Sequence, residues 1–150
     1  MINKGLFSSK SNEWATPKAL FKELNNEFHF TLDPCASADN AKCEKYFTVK
    51  ENGLLQSWKG ERVFCNPPYG KEIASWVKKC DTEIKNGAEL IVMLIPSRTD
   101  TKYFHEYIYK KHEIRFLAGR LHFNESKQGA PFPSMLVIMR NKKGDKENEN

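Results

Sequence analysis

Residues 89–95 have the sequence ELIVMLI, which is apolar at every position after the first. Such an apolar run is typical of a central strand that is covered on both faces. Predicted helices and further strands alternate on either side of it, and this alternation indicates a three-layer α/β sheet. Ligands of such sheets bind outside the carboxyl ends of the strands. We therefore expect an α/β fold with its site at that edge.

The chain before this run contains two predicted strands and two predicted helices. The strands are residues 30–32 and 62–65, and prolines follow both of them. Thr16 and Pro17 are expected at the N-cap and at the first position of one helix. Gly87 is expected just beyond the end of the other. Apolar residues at helical spacing predict the buried faces of the two helices: Leu20, Phe21, Leu24 and Phe28, then Ile73, Trp76, Val77, Cys80 and Ile84.

The chain after the run contains a predicted helix at residues 101–109 and predicted strands at 113–117 and 134–140. The connection at residues 124–133, NESKQGAPFP, is rich in turn-forming residues. We expect it either to contact a ligand or to serve only as a connection.

The composition limits the classes of protein to which the chain can belong. Hydrophobic residues make up 39% of the 150 positions and aromatic residues 12%, which is enough for the core of a compact single domain. Mean hydropathy is -0.66 and no long apolar segment is present, so we expect no membrane span. The N-terminus lacks the apolar region of a secretory signal, and we expect a cytoplasmic protein. The net charge of +5 permits a polyanionic partner.

The domain is expected to span residues 11–140. Residues 1–10 are polar and are predicted to form a flexible arm, and residues 141–150, NKKGDKENEN, a disordered polar tail. The four cysteines match no common zinc spacing. We therefore expect reduced thiols, mostly packed in the core, and no metal site.

The segment Asn66-Pro67-Pro68-Tyr69 carries the most chemical information, because it follows a predicted strand at the ligand edge. The two prolines remove two backbone donors and stiffen the turn. The amide oxygen of Asn66 and the nearby carbonyls are hydrogen-bond acceptors, and Tyr69 supplies a flat ring. These features suit a planar substrate that bears an amine. The alternative is an ordinary strand-ending turn with a surface tyrosine.

This segment is similar to the [DNS]PP[YFW] motif of amino-group methyltransferases that use S-adenosylmethionine. More of the chain, from about residue 11 to 140, resembles the phage-type DNA N6-adenine methyltransferases. The similar segments are Asn12-Glu13-Trp14-Ala15-Thr16-Pro17 with Phe21 and Leu24, Leu32-Asp33-Pro34-Cys35-Ala36, Asn52-Gly53-Leu54 with Trp58, the motif itself, Ile95-Pro96-Ser97-Arg98-Thr99-Asp100-Thr101, and Gly119-Arg120-Leu121-His122-Phe123.

The resemblance implies a Rossmann-like, mostly parallel methyltransferase sheet and assigns roles to individual residues. Trp14, Thr16 and Pro17 would hold the methionine end of the cofactor. The loop Asp33-Pro34-Cys35-Ala36 would approach the same cofactor, and Asn52 and Leu54 would flank its adenine. The catalytic residues would be Asn66, Pro67, Pro68 and Tyr69.

Two positions depart from the broader methyltransferase pattern. The loop after the first strand contains no glycine, so its backbone is expected to approach the cofactor less closely. Asn52 stands where an aspartate is common, although its amide oxygen can still accept a hydrogen bond.

Several of these residues have simpler alternatives. Trp14 could be a core anchor and Thr16 only a helix cap. Asp33 could cap its own turn, and Cys35 is expected to pack rather than to act as a nucleophile. Arg98 and Arg120 lie in family-like motifs of a basic segment, where we expect contacts to DNA.

The function that these inferences predict is transfer of a methyl group from S-adenosylmethionine to the N6 amine of a flipped adenine in DNA. The alternatives are methylation of a protein glutamine or of an RNA base, and a catalytically idle nucleic-acid-binding module. No segment resembles a separate target-recognition domain. Specificity is therefore expected to be loose or to depend on a homodimer.

Overall fold

A computed structural model describes residues 14–142, which contain a mixed sheet of six strands. The order across the sheet is β2-β1-β3-β4-β6-β5. The α/β class is as expected. Three of the five strand pairings are parallel and two are antiparallel, so the sheet is mixed. The strands are β1 (Leu32–Asp33), β2 (Lys45–Tyr46), β3 (Arg62–Cys65), β4 (Leu90–Pro96), β5 (Glu113–Phe116) and β6 (Ser134–Arg140).

The predicted arm at residues 1–10 lies outside the described residues, as do residues 143–150 of the predicted tail. Within residues 14–142, no helix has the length and apolar character needed to cross a bilayer.

The central strand is β4, and all seven of its residues are buried. It lies between β3, which runs parallel to it, and β6, which runs antiparallel. The prediction of a strand covered on both faces is confirmed. The direction of β6 could not be predicted, because an apolar run has the same pattern in both directions.

The start of the first helix, α1 (Lys18–Phe28), differs from the prediction. Pro17 is the N-cap, one position later than expected, and its side chain cannot cap the helix. The carboxylate of Glu125 accepts a hydrogen bond from the backbone N–H of Lys18 at 2.7 Å and takes that role. The Thr16 hydroxyl is used elsewhere, so the N-cap assignment of Thr16 is wrong.

The second helix, α2 (Ile73–Asn86), follows the prediction closely. It ends at Gly87, which has a φ of 121° that favours glycine. The residues of its predicted apolar stripe are all buried: Ile73, Trp76, Val77, Cys80 and Ile84. Two of the four free cysteines, Cys65 and Cys80, are fully buried, in agreement with a packing role.

Short elements account for most of the remaining differences. The strand expected at residues 30–32 is β1, one or two residues further on, and β2 was not predicted because its two residues are exposed and lack an apolar pattern. The helix expected at residues 101–109 contains a widened turn, Phe104–Ile108, with π-type hydrogen bonding. Single helical turns occur at Gly53–Leu55 and Phe123–Glu125.

Replacing Glu125 with alanine should lower the free energy of unfolding by about 1 kcal/mol, because the first turn of α1 loses its capping acceptor. Glu125→Gln is the matched control, since its amide oxygen can still accept from Lys18. Urea unfolding followed by circular dichroism measures both variants. Equal stability of the alanine and glutamine variants would show that the cap contributes nothing.

Candidate functional site

A cavity of about 740 Å³ lies at the carboxyl ends of β1 and β3. These strands are neighbours, and the chain leaves them in opposite directions: β1 is followed by β2 on one side, and β3 by β4 on the other. The loops that follow the two strands therefore diverge and leave a crevice between them. The volume is in the range of small-molecule sites.

The cavity brings together most of the residues predicted for the site, although they are far apart in the sequence. Pro17, Tyr69, Arg98 and Arg120 are not part of its wall. The predicted residues that do line it are Trp14, Thr16, Asp33, Pro34, Cys35, Ala36, Asn52, Leu54, Asn66, Pro67 and Pro68.

The two polar atoms of the Asn66 side chain differ in their hydrogen bonding. Its Nδ2 donates to the backbone carbonyl of Trp14 and, at 3.0 Å, to the hydroxyl of Thr16. A carbonyl can only accept, so the NH2 group must face it, and this fixes the orientation of the amide. Oδ1 is then left buried, with no hydrogen-bond partner among residues 14–142. A buried acceptor without a partner is costly in a folded protein and indicates a site for a donor.

The segment that carries Trp14 and Thr16 is held from a second side. Ala15 donates its N–H to Oδ1 of Asn124 at 2.8 Å, and its carbonyl accepts from the N–H of Asn124 at 2.9 Å. Asn124 has a φ of 59°, and it also lines the cavity. Asn66, after β3, and Asn124, between β5 and β6, thus both hold the N-terminal wall of the cavity in place.

Asp33 ties together the loop that follows β1. Its carboxylate accepts from the N–H of Cys35 at 3.2 Å and from the N–H of Lys42 at 3.0 Å. The first bond is the turn cap that the sequence offered as the alternative role of this residue. Burial raises the pKa of Asp33 from 3.8 to about 6.

The raised pKa of Asp33 makes the stability of the fold depend on pH. Between about pH 4 and pH 6 the folded state keeps the Asp33 proton while the unfolded state releases it. The contribution of Asp33 to stability therefore falls as the pH rises through this window.

Cys35 lies in the same loop, and its Sγ is 3.8 Å from that of Cys65. Burial raises the pKa of the Cys35 thiol well above its usual range. A neutral thiol is a poor nucleophile, which agrees with the expected packing role.

The turn Gly53–Leu55 forms the opposite wall of the cavity. Oδ1 of Asn52 accepts from the N–H of Leu54 at 3.1 Å, so the amide oxygen caps this turn. Gly53 touches the loop after β1 so closely that an added Cβ would lie 2.2 Å from the carbonyl oxygen of Pro34. The carbonyl of Gly53 accepts from Nε1 of Trp58 at 3.0 Å. Only glycine fits between these two elements.

Tyr69 is more enclosed than the sequence suggested. Its side chain is only 6% exposed, and its hydroxyl donates to the carbonyl of Leu94 at 3.0 Å. Its ring packs against three aromatic rings, at centroid distances of 5.7 to 6.4 Å: Trp14, Phe123 and Phe132. The alternative interpretation, an ordinary strand-ending turn with a surface tyrosine, is therefore wrong.

The two arginines predicted to contact DNA are exposed and lie outside the cavity. Arg98 is two residues beyond the end of β4, at the same edge of the sheet as Asn66. Nη1 of Arg120 lies 3.4 Å from the carbonyl of Ala130, which accepts its hydrogen bond.

Eleven residues of the cavity wall were not assigned a site role from the sequence, and Gly53, Trp76 and Asn124 are among them. Trp76 belongs to the apolar stripe of α2 and looks like any core residue in that pattern. Gly53 lies inside the family-like segment Asn52-Gly53-Leu54. A glycine at that position could have indicated a close backbone contact. Asn124 had no signal of its own: only its loop as a whole, residues 124–133, was expected either to contact a ligand or to serve as a connection.

The chain is similar to known proteins from two phages. Two relatives are named DNA N-6-adenine-methyltransferase. The protein from Haemophilus phage HP1 is 28% identical over 146 residues, which cover 92% of this chain and 84% of the relative. The protein from Escherichia phage T1 is 31% identical over 110 residues, which cover 72% of this chain and 45% of the relative.

The sequence profile of one family spans nearly the whole chain. The match covers residues 5–148 and includes every residue that lines the cavity. The chain therefore belongs to the DNA N-6-adenine-methyltransferase (Dam) family.

Proposed function

We propose that the chain transfers a methyl group from S-adenosylmethionine to the N6 amine of adenine in DNA, with the cofactor in the cavity and the amine at Asn66. Membership of the adenine-N6 methyltransferase family supports the reaction. The observation that carries the site is the buried Oδ1 of Asn66, which lacks a donor among residues 14–142. An amine that is about to be methylated supplies that donor.

The sheet is, in this proposal, the Rossmann-like, three-layer sheet of a methyltransferase. The reversal of strand order at β1 and β3, with β2 added on one side and β4 on the other, supports this assignment, since the cavity lies at that switch point. β1 to β4 are parallel, and β6 enters as the single antiparallel strand between β4 and β5.

The residues of the cavity fit the cofactor in chemical type. Trp14 and Thr16 would hold its methionine end, and Pro17 would act indirectly by starting α1 behind them. The loop from Asp33 to Ala36 would form its floor, with the Asp33 carboxylate keeping the loop in shape. The turn at Asn52 and Leu54 would flank the adenine.

S-adenosylmethionine supplies a methyl group on a positively charged sulfur. Oδ1 of Asn66 accepts one hydrogen of the amine, and the Pro67 carbonyl accepts the other. These contacts direct the nitrogen lone pair towards the methyl carbon and stabilise the positive charge that develops on nitrogen. The chemistry that the bound cofactor would supply is transfer of its methyl group from sulfur to the amine nitrogen, with loss of one amine proton to water. Alignment supplies most of the catalysis, and no covalent bond to the protein is required.

The target adenine must leave the duplex to reach this position. We propose that it stacks on the ring of Tyr69, with Pro68 stiffening the turn. Because Tyr69 is packed against Phe123 and Phe132, the loop at residues 117–133 would have to move to admit the base. Arg98 and Arg120 would contact DNA phosphates beside the site.

Two further points belong to this proposal. The protein would act in the cytoplasm, or in the host cytoplasm if it is phage-encoded, where DNA and the cofactor are both present. A homodimer would supply target specificity, and light scattering with and without DNA would measure its formation.

The reaction is tested by incubating the protein with S-adenosylmethionine labelled in its methyl group and with DNA, RNA or protein as acceptor. Nucleoside analysis of the DNA should give labelled N6-methyldeoxyadenosine. Label that entered only RNA or a protein glutamine would contradict the proposed substrate.

Asn66→Ala should lower the rate of methyl transfer by roughly 100-fold or more and change cofactor affinity by less than about tenfold. An acceptor aimed at developing charge acts mainly in the transition state. Single-turnover kinetics and calorimetry measure the two effects. Near-normal turnover of Asn66→Ala would exclude this role.

Tyr69→Phe should keep most of the activity but lower the free energy of unfolding by about 1 kcal/mol, because the bond to Leu94 is lost. Tyr69→Leu should lower DNA methylation by roughly 5- to 150-fold, since stacking on an aromatic ring is worth about 1–3 kcal/mol per base. Kinetics on a short duplex separate the variants. If Tyr69→Phe lowered DNA methylation as much as Tyr69→Leu does, the hydroxyl rather than the ring would be the group that the reaction requires.

Gly53→Ala should weaken cofactor binding by about tenfold, because the added methyl group forces the Pro34 loop out of place and such overpacking costs about 1–3 kcal/mol. Gly60→Ala is the control: its φ is 79°, but nothing lies within 4 Å of the added Cβ. The control should therefore lower stability without a change in affinity. Calorimetry with S-adenosylhomocysteine checks this, and equal affinities for the two variants would refute the role of Gly53.

A further inference from the structure

Trp76 contains the second unsatisfied polar atom in the wall of the cavity. It lies in the first turn of α2 and is 6% exposed. Its indole lines the cavity, and its Nε1 has no hydrogen-bond partner among residues 14–142. The neighbouring Trp58 differs, since its Nε1 donates to the carbonyl of Gly53 at 3.0 Å.

A buried N–H group without a partner loses its hydration and gains nothing in return. A phenylalanine or leucine at this position would cover the core of α2 without that cost. The donor is therefore unexplained by packing alone. Its place in the cavity wall makes a bound ligand the natural partner.

The indole is held firmly in place. It stacks on Trp58, with ring centroids 6.4 Å apart and planes inclined by 22°. Trp58 is itself fixed, because its backbone N–H donates to the carboxylate of Glu83 at 2.6 Å. The outer edge of the Trp76 ring touches Gly53, where an added Cβ would lie 3.1 Å from Cη2. Trp76 thus stands beside the turn Gly53–Leu55.

The chemistry of the group selects its partner. An indole N–H can only donate, so it favours an atom that can only accept. The ring nitrogens of a purine are such atoms, whereas an exocyclic amine would oppose the indole with a second donor. The turn beside Trp76 is the one assigned above to the adenine of the cofactor.

We propose that the indole N–H of Trp76 donates a hydrogen bond to a ring nitrogen of the cofactor's adenine and so selects that base. This inference rests on the proposed function, because it requires the adenosine part of S-adenosylmethionine to occupy the cavity. Trp76 is then a cofactor-specificity residue rather than only a core residue.

The first arm of the experiment uses the wild-type protein. S-adenosylhomocysteine and its 1-deaza, 3-deaza and 7-deaza analogues are titrated by calorimetry. Each analogue replaces one ring nitrogen of the adenine with a C–H group. One of them should bind roughly five- to tenfold more weakly than the parent compound, the size expected for a single lost hydrogen bond.

The second arm repeats the titrations with Trp76→Phe. This variant should bind the parent compound about as weakly as the wild type binds the sensitive analogue, and it should show no further loss with that analogue. Ile84→Val is the control, because it removes buried packing from the same face of α2 at a position outside the cavity wall. The control should lower the melting temperature and keep the wild-type selectivity among the analogues.

The possible results distinguish the role of Trp76 from the proposed function. Unchanged analogue selectivity in Trp76→Phe would overturn the role of Trp76 and leave the proposed function intact, as would equal binding of all four compounds by the wild type. Failure of the wild type to bind S-adenosylhomocysteine at all would overturn the proposed function together with this inference.

Discussion

The site depends on one buried amide. Asn66 must point its NH2 group at the Trp14 carbonyl, because a carbonyl can only accept. This single requirement joins the N-terminal segment to the end of β3 and leaves Oδ1 facing no partner among the described residues. The same side chain thus closes one wall of the cavity and keeps an unsatisfied acceptor there. An isosteric aspartate could not do both, since it has no donor.

A second constraint is the close contact between the loop after β1 and the turn Gly53–Leu55. The carbonyl of Pro34 occupies the space in which any other side chain would begin. Trp58 fixes that turn through its indole N–H and is itself held by Glu83. This part of the cavity wall is therefore set by packed backbone and aromatic rings.

Much of the fold could be predicted from the sequence, because the long elements have clear patterns. The run at residues 89–95 predicted the central strand, and the stripe of α2 predicted its buried face. What escaped prediction has no local signal: β2 is two exposed residues long, β6 has the same pattern in either direction, and α1 is capped by Glu125 from a distant loop. In the site, the motif located Asn66 but gave no information about its amide orientation. The enclosure of Tyr69 and the lone donor of Trp76 arise only in three dimensions.

The hydrogen bonds that hold the N-terminal segment to the loop at Asn124 and Glu125 also determine when the cavity is completed during synthesis. Ala15 and Lys18 are held by Asn124 and Glu125, which are separated from them by 109 and 107 positions. Contacts this distant in sequence form late, after the intervening chain has folded. A nascent chain that already carries Asn66-Pro67-Pro68-Tyr69, β3 and β4 still lacks the wall that Asn124 and Glu125 hold in place. The ribosome must therefore complete most of the polypeptide before the cavity has all of its walls.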